Sequence, residues 1–285
     1  MKSIPNLFIL GTQRSGTTLL TRILSAHPAL FIQNEISVDN VFANHDKSSI
    51  CHAIDLEIQK RHQHNIIDLM KQENKTHWGV KDPQLTEHLD KLQLFIDDAK
   101  FIIILRDPRA VVRSYIENKW GLGTNAYTGA LRWRSEVALQ RKFAVEHPDK
   151  VLIIRYEDLV SDLETIMKKV CGFIGCSYDD SITEYYKQSA KYKANKSNIN
   201  TNKKPDKSYS DKWKKGLNTQ QIGIIDYVTE QEMLACDYQL YGTTIKPNKL
   251  CVLWYKIHQK VLGEFQIQYQ LKRVWLKNKW QRLKN

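Results

Sequence analysis

A glycine-rich loop near the start of the chain offers the clearest chemistry. It runs from Gly11 to Gly16, after the apolar run Leu7–Leu10 and before a helix-like segment that starts at Thr17. The backbone N–H groups of such a loop, together with a helix N-terminus, bind anions such as phosphate. The glycine spacing fits a nucleotide P-loop, but Thr17 stands where that loop has its lysine. The pattern therefore predicts an anion site that differs from that of an ordinary NTPase.

Basic and hydroxyl side chains also follow other apolar, strand-like runs. Lys81 follows a run that starts at Trp78, Arg106 follows Lys100–Leu105, and Ser114 lies eight residues after Arg106. In open α/β sheets the carboxyl ends of the strands meet at one edge, where ligands bind. None of these runs ends in the acidic residue that would hold Mg²⁺ in an NTPase. The groups gathered at this edge suit a ligand with several anionic groups: Arg14, Thr17, Thr18, Lys81, Arg106 and Ser114.

The elements that must position these groups are short apolar strands that alternate with helices. Strands are predicted at residues 7–10, 78–83, 100–105 and 151–156, and helices at 17–27, 110–118 and 159–174. Continuous apolar strands of this kind are typical of parallel sheets that are covered on both faces. We therefore predict an α/β, P-loop-type three-layer fold with a central, mainly parallel sheet flanked by helices.

The remaining segments are predicted to be mostly helical. Residues 40–75 are polar and helix-like, and a further helix-like segment covers residues 213–235. Between residues 250 and 283, aromatic and apolar side chains alternate with lysines, which predicts an amphipathic helix or a pair of helices. We therefore expect a domain over residues 1–245 and a basic amphipathic helical tail over residues 246–285.

The positive charge of the chain is concentrated in two segments. The formal net charge is +12, whereas residues 191–220 alone carry +7 and residues 246–285 carry +9. Such local charge indicates anionic ligands or surfaces, although solvated lysine-rich faces give the same pattern. For the tail, both a peripheral membrane contact and packing on its own domain or on a second copy remain open.

Cysteine use and hydropathy favour a cytoplasmic protein, with peripheral contact at the inner membrane face as a further option. The five cysteines are odd in number and lack metal-site spacing, which favours reduced thiols and argues against a zinc site. No apolar run is long enough to cross a bilayer. Because the first predicted strand begins at Leu7, we expect no signal peptide.

Four blocks in one order resemble a known family, the sulfotransferases that use 3′-phosphoadenosine-5′-phosphosulfate (PAPS). The likeness is greatest to the carbohydrate and tyrosylprotein branch and its bacterial relatives, and it covers roughly residues 5 to 220. The segment Arg14–Thr18 resembles the family's 5′-phosphosulfate loop, and Arg106 with Ser114 resembles its 3′-phosphate site. The segment Arg155–Leu159 is similar to a block near the cofactor, and Asp211–Lys214 to a late basic-tryptophan block.

This resemblance implies a role for each matching residue. Glu35 takes the place of the family's base for the acceptor hydroxyl, and Lys81 that of the lysine near the bridging oxygen. Arg14 is implied to contact the 5′-phosphate, and Arg106 with Ser114 the 3′-phosphate. The other implied cofactor contacts are Ser15, Gly16, Thr17, Thr18, Tyr156 and Lys212. PAPS is then the donor and 3′-phosphoadenosine 5′-phosphate (PAP) the product, and no metal is required.

Several alternatives stay open at this point. Glu35 is alternatively a surface carboxylate, and His27 competes as the base, although its place at a helix end favours capping or packing. The acceptor is expected to be a glycan or glycolipid, with a protein tyrosine or a small alcohol as the alternative. A P-loop kinase and a nucleic-acid-binding module are more distant possibilities, and no nucleic acid partner is expected. The segment Lys191–Ser210 is either a lid or a solvated loop.

Overall fold

The chain divides into two compact units. The computed structural model describes residues 4–187 and 199–282. The first unit comprises Met1–Arg106 and Glu136–Lys207, and the second comprises Asp107–Ser135 and Ser208–Asn285. Both units draw on one helix, Ala126–Glu146, which contributes residues to each.

A parallel five-stranded sheet forms the centre of the first unit. The strands of the described chain are β1 (Leu7–Leu10), β2 (Leu30–Asn34), β3 (His77–Lys81), β4 (Lys100–Leu105) and β5 (Val151–Arg155). Their order is β2-β3-β1-β4-β5, and every neighbouring pair is parallel. The predicted α/β class with a central parallel sheet is therefore confirmed.

Helices connect and follow the strands. Those of the described chain are α1 (Thr17–Ser25), α2 (Val38–Phe42), α3 (Lys47–His62), α4 (Ile66–Gln72), α5 (Leu89–Leu92), α6 (Pro108–Asn118), α7 (Ala126–Glu146), α8 (Tyr156–Ser161), α9 (Leu163–Ile174), α10 (Trp213–Gly216), α11 (Thr219–Leu234) and α12 (Lys249–Arg282). Short 3₁₀ turns lie at Pro83–His88, Gln93–Phe95, Asp180–Ile182, Ile199–Asn202 and Lys207–Tyr209.

The sheet is buried because alternate strand residues pack on opposite faces. On one face Leu7 and Ile9 of β1 join a fully buried apolar core that includes α1 and α9. Phe8 instead stacks on Phe101 of β4 at 5.4 Å and meets Phe95 edge-on at 5.2 Å. Burial on both faces explains why the strands read as continuous apolar runs.

Two helices expected to be continuous are each broken by a capping residue. Asp162 separates α8 from α9, and its carboxylate accepts the N–H of Thr165. Asn218 separates α10 from α11 and forms a capping box with Gln221. These breaks correct the single helices predicted at residues 159–174 and 213–235, because a side-chain cap satisfies the first N–H groups of a new helix.

A buried arginine organises the second unit. The Arg109 guanidinium forms a forked pair with Asp107 (Nη2 to Oδ2, 2.8 Å), lies 3.5 Å from Asp226 and sits 4.3 Å from the ring centre of Trp213. Burial raises the pKa of Asp226, and the Tyr241 N–H and Arg109 partly offset that effect. The network joins α6, α10 and α11, to which Arg109, Trp213 and Asp226 belong. Separating these helices would leave a buried charge without its partner, which is unfavourable.

The predicted tail corresponds to one long helix, α12, in the second unit. None of the described helices has a stretch of sufficient length and hydropathy to traverse a lipid bilayer. The domain boundary expected at residue 245 stays a prediction.

Candidate active site

The glycine-rich loop leaves the carboxyl end of the central strand β1. Its backbone takes left-handed conformations at Arg14 (φ 73°) and at Gly16 (φ 106°), which is the N-cap of α1. The Ser15 N–H donates to the Thr12 carbonyl at 3.0 Å and closes a tight turn. A Cβ atom on Gly16 would lie 2.5 Å from the Tyr156 ring, so only glycine fits there. Thr17 then opens α1, whose first-turn N–H groups have no partner within the helix.

Two buried hydroxyl groups in this loop lack a partner. The side chains of Thr12 and Ser15 are almost fully buried, and neither hydroxyl oxygen has a hydrogen-bond partner among the described residues. An unsatisfied buried polar group costs about 1–3 kcal/mol, so a ligand oxygen in the loop would be stabilised by these donors. The loop therefore fits a phosphate or sulfate group.

An arginine and a tyrosine support the loop from the β4–β5 side. Arg106, directly after β4, donates from Nη1 to the Arg14 carbonyl at 3.2 Å. Its guanidinium lies 4.2 Å from the ring centre of Tyr156, which opens α8 after β5. The predicted residues Arg14, Gly16, Arg106 and Tyr156 are thus brought together, and Tyr156 forms the wall behind the loop.

A lysine–glutamate pair lies on the other side of β1, at the ends of β3 and β2. Lys81, fully buried at the end of β3, donates from Nζ to Glu35 Oε1 at 3.0 Å. Glu35 directly follows β2 in a left-handed conformation (φ 58°), and its N–H donates to the Lys81 carbonyl at 2.7 Å. The Glu35 side chain is 55% exposed, so the lysine holds a carboxylate that still reaches solvent. In this structure Lys81 contacts Glu35, and its predicted contact with the bridging oxygen stays a prediction.

Asp82 is a site residue that was not predicted from the sequence. Its buried carboxylate accepts the N–H of Ile36 at 3.2 Å and the N–H of Gln84 at 2.9 Å. Burial raises the pKa of Asp82, and the two N–H groups and Lys81 partly offset the rise. Asp82 thereby holds the backbone of Ile36, the residue that follows Glu35. In the sequence, the sign of this role was that Asp82 stands directly before Pro83, because an acidic residue before a proline is typical of a helix N-cap.

Two predicted residues lie on the second unit, and their roles stay predictions. The Ser114 hydroxyl on α6 accepts a hydrogen bond from Asn118 Nδ2 at 2.9 Å. Lys212 is exposed at the start of α10, and its ammonium lies 3.8 Å from the ring centre of Tyr209. Of the segment expected to be a lid or a solvated loop, residues 191–198 lie outside the described residues.

His27 packs against backbone, as its sequence position suggested. Its Nδ1 accepts the Ala29 N–H at 3.0 Å, and its Nε2 lies 2.8 Å from the Ser177 carbonyl, to which it donates.

His27 also lies within 4.8 Å of the Cys171 and Cys176 sulfurs, the one group of possible metal ligands among the described residues. Both ring nitrogens already have partners, so a metal there would displace a hydrogen bond.

The first unit thus offers two kinds of chemistry side by side. The glycine-rich loop Gly11–Gly16, here called the anion loop, follows the central strand β1. Arg106 flanks it on the β4 side, and the Lys81–Glu35 pair flanks it on the β3 side. Fixed positive groups and backbone donors stabilise charge that develops during group transfer. An exposed carboxylate beside them can accept a proton.

Similar proteins point to one family. A family model described as the sulfotransferase family matches residues 5–180. Protein-tyrosine sulfotransferase 1 of Danio rerio is 28% identical over 201 residues, which are 65% of this chain and 57% of that protein. The chain therefore spans about half the length of such curated relatives.

Solved sulfotransferases share the fold. A sulfotransferase domain from the curacin biosynthetic pathway has a TM-score of 0.60 at 20% identity, covering 84% of this chain and 99% of that one. A mouse sulfotransferase complexed with PAP has a TM-score of 0.55 at 15% identity, covering 83% and 86%. At these identities the likeness establishes the fold alone.

Gly16→Ala tests the loop as an anion site. Inorganic pyrophosphate at about 100 times its Kd should stabilise the wild-type protein by about 2.7 kcal/mol, measured by thermal unfolding. The variant should lose this shift, because the new Cβ meets Tyr156. Gly175→Ala is the matched control: this glycine also has a positive φ (89°), but no described atom lies within 4 Å of the place that its Cβ would take. An equal pyrophosphate shift in both variants would contradict the assignment.

Proposed function

Because the chain belongs to the sulfotransferase family, we propose that it transfers a sulfuryl group from PAPS to a hydroxyl group of an acceptor. The observation that carries this proposal is the pairing of Glu35 with the buried Lys81 at the ends of β2 and β3, next to the strand that bears the anion loop. A phosphate-binding loop alone is compatible with many nucleotide enzymes. A positioned carboxylate beside it supplies the base that a hydroxyl acceptor needs.

The donor is proposed to bind along the loop and the β4 side of the sheet. The N–H groups at the start of α1, with the hydroxyls of Ser15, Thr17 and Thr18, suit the 5′-phosphosulfate oxygens. Arg14 and Arg106 bring guanidinium groups, which match phosphate geometry. The mouse neighbour crystallised with PAP supports this class of ligand. The proposed contacts of Ser114 and Lys212 rest on the sequence resemblance alone.

The protein's own groups then perform the transfer. PAPS supplies the sulfuryl group; the acceptor oxygen forms a bond to sulfur in line with the breaking bond between sulfur and the 5′-phosphate oxygen. Glu35 takes the hydroxyl proton on its carboxylate, which Lys81 holds in place from Oε1. Arg14 and the loop N–H groups stabilise the negative charge that builds on the leaving phosphate. Since these groups supply the positive charge, we propose that the reaction needs no metal.

A protein tyrosine is the acceptor that the relatives favour. The curated relatives from Danio rerio and Gallus gallus are named protein-tyrosine sulfotransferases. The exposed lysines of residues 203–215 suit an acidic peptide around the tyrosine. A phenol is also easier to deprotonate than a sugar alcohol, since its pKa is about 10.

The acceptor class expected from the sequence, a glycan or glycolipid, is kept as the second candidate. Glu35 could take a proton from a sugar hydroxyl in the same way, and the exposed lysines would equally attract an acidic glycan. A cytoplasmic location likewise stays a proposal.

Glu35→Gln tests the reaction itself. With labelled PAPS and a reactive acceptor, the variant should transfer sulfate about 10²–10⁴-fold more slowly, because glutamine cannot accept the proton. Its affinity for PAP should stay within about twofold of the wild type, since the base acts on the acceptor. Glu164→Gln is the matched control, because Glu164 is also paired with a lysine (Lys168, 2.6 Å) but lies on α9. Wild-type transfer by Glu35→Gln would contradict the proposed base.

An acceptor panel separates the two candidates. Labelled PAPS is offered with an acidic peptide that contains one tyrosine, with the same peptide carrying phenylalanine, and with a neutral and an acidic oligosaccharide. We expect label in the tyrosine peptide at least about tenfold above either sugar, and none in the phenylalanine peptide, which has no hydroxyl group at that position. Label in an oligosaccharide alone would overturn tyrosine as the acceptor and support the glycan.

A further inference from the structure

The long helix α12 exposes an apolar stripe that the proposed reaction does not use. Six residues at helical spacing form this outer stripe, each between 48% and 79% exposed: Leu250, Leu253, Trp254, Ile257, Val261 and Phe265. At 3.6 residues per turn they lie on one side of the helix. A contiguous exposed apolar surface of this kind indicates an interaction site.

The opposite side of the same helix packs on its own unit through polar side chains and the ring of Tyr255, which stacks on Tyr127 at 5.9 Å. Gln259 accepts the Thr124 N–H at 2.8 Å and donates to the Gly121 carbonyl at 2.6 Å. Gln266 accepts the Gly121 N–H at 3.0 Å, and the Tyr255 carbonyl accepts from Asn125 Nδ2 at 3.0 Å. An amphipathic helix on a globular protein normally turns its apolar side inward. Here the glutamine hydrogen bonds and the Tyr255 stack hold the opposite side inward, so the outer stripe faces solvent.

The charges around the outer stripe indicate what covers it. The helix carries eight lysines or arginines and one acidic residue, Glu264, which gives a formal charge of +7. Lys249, Lys256 and Lys260 are exposed and accompany the stripe along the helix. A second copy of this chain would bring the same positive charge to the contact. An anionic surface complements the charge and also accepts the apolar and aromatic side chains.

We infer that the outer stripe is a membrane-binding surface that lies in the interface of an anionic lipid bilayer. Its tryptophan and phenylalanine side chains would enter the boundary between headgroups and acyl chains, and the lysines would contact the lipid phosphates. The helix would lie parallel to the bilayer plane, in keeping with its many charges. This inference concerns α12 alone and does not depend on the proposed sulfuryl transfer.

Vesicle sedimentation with the full chain tests this inference. Wild-type protein should bind vesicles of equimolar phosphatidylcholine and phosphatidylglycerol, bind pure phosphatidylcholine vesicles at least about tenfold more weakly, and dissociate as salt is raised. Val261→Asp should lower the partition coefficient on the anionic vesicles at least about tenfold, because it places a negative charge within the outer stripe. Val145→Asp on α7 is the matched control and should bind as the wild type does, since Val145 is similarly exposed (78% against 66%) but lies outside the stripe.

The controls distinguish binding from folding and from self-association. Circular dichroism and thermal unfolding of both variants establish that each is folded. The charge-reversal variant Lys256→Glu/Lys260→Glu is a second test of binding to the anionic vesicles, and it leaves the apolar residues intact. Binding of the wild type to neither kind of vesicle would overturn the inference. So would equal losses in Val261→Asp and Val145→Asp. A concentration-dependent dimer that Val261→Asp dissociates, without vesicle binding, would instead assign the outer stripe to a second copy.

Discussion

The position of β1 at the centre of a parallel sheet is the constraint on which the site depends. Parallel pairing of β1 with β3 on one side and β4 on the other places three strand ends at the same edge. The anion loop leaves the middle strand, so its neighbours at this edge are the residues at or just after the ends of β3 and β4. Lys81 and Arg106 occupy those places. This strand order therefore places the Lys81–Glu35 pair on one side of the loop and Arg106 on the other.

A second constraint is the burial of Lys81. A buried ammonium is unfavourable by several kcal/mol unless it is paired, so the fold must bring an anionic partner to Nζ. Glu35 supplies that partner from a left-handed backbone conformation, which is itself unfavourable for a glutamate. The Lys81 carbonyl and the Asp82 carboxylate hold Glu35 and the residue after it, through the N–H groups of Glu35 and Ile36. One arrangement therefore fixes the Glu35 carboxylate: it combines the strained backbone of Glu35 with the buried side chains of Lys81 and Asp82.

Local patterns predicted much of this molecule. The loop between Gly11 and Gly16, strand β4 and the start of α1 at Thr17 each carry a signal within a few residues. The short run Leu30–Asn34 begins two residues after Pro28 and ends in polar residues, so it was not predicted as the edge strand β2. Its partner β3 is more than 40 residues away in the sequence, and the support that Asp82 gives to Ile36 depends on that pairing. The outward side of α12 was equally hidden, because periodicity identifies an apolar stripe but not the side that packs.

The most direct test of the central claim, a PAPS-type anion site at this sheet edge, is calorimetric titration of the full chain with PAP in the presence of EDTA. The account predicts saturable binding at one site per chain that is unchanged by the chelator, because arginine, lysine and backbone N–H groups supply the positive charge. It also predicts that ATP binds much more weakly, with or without Mg²⁺. Absence of PAP binding, or a clear preference for ATP with Mg²⁺, would contradict it.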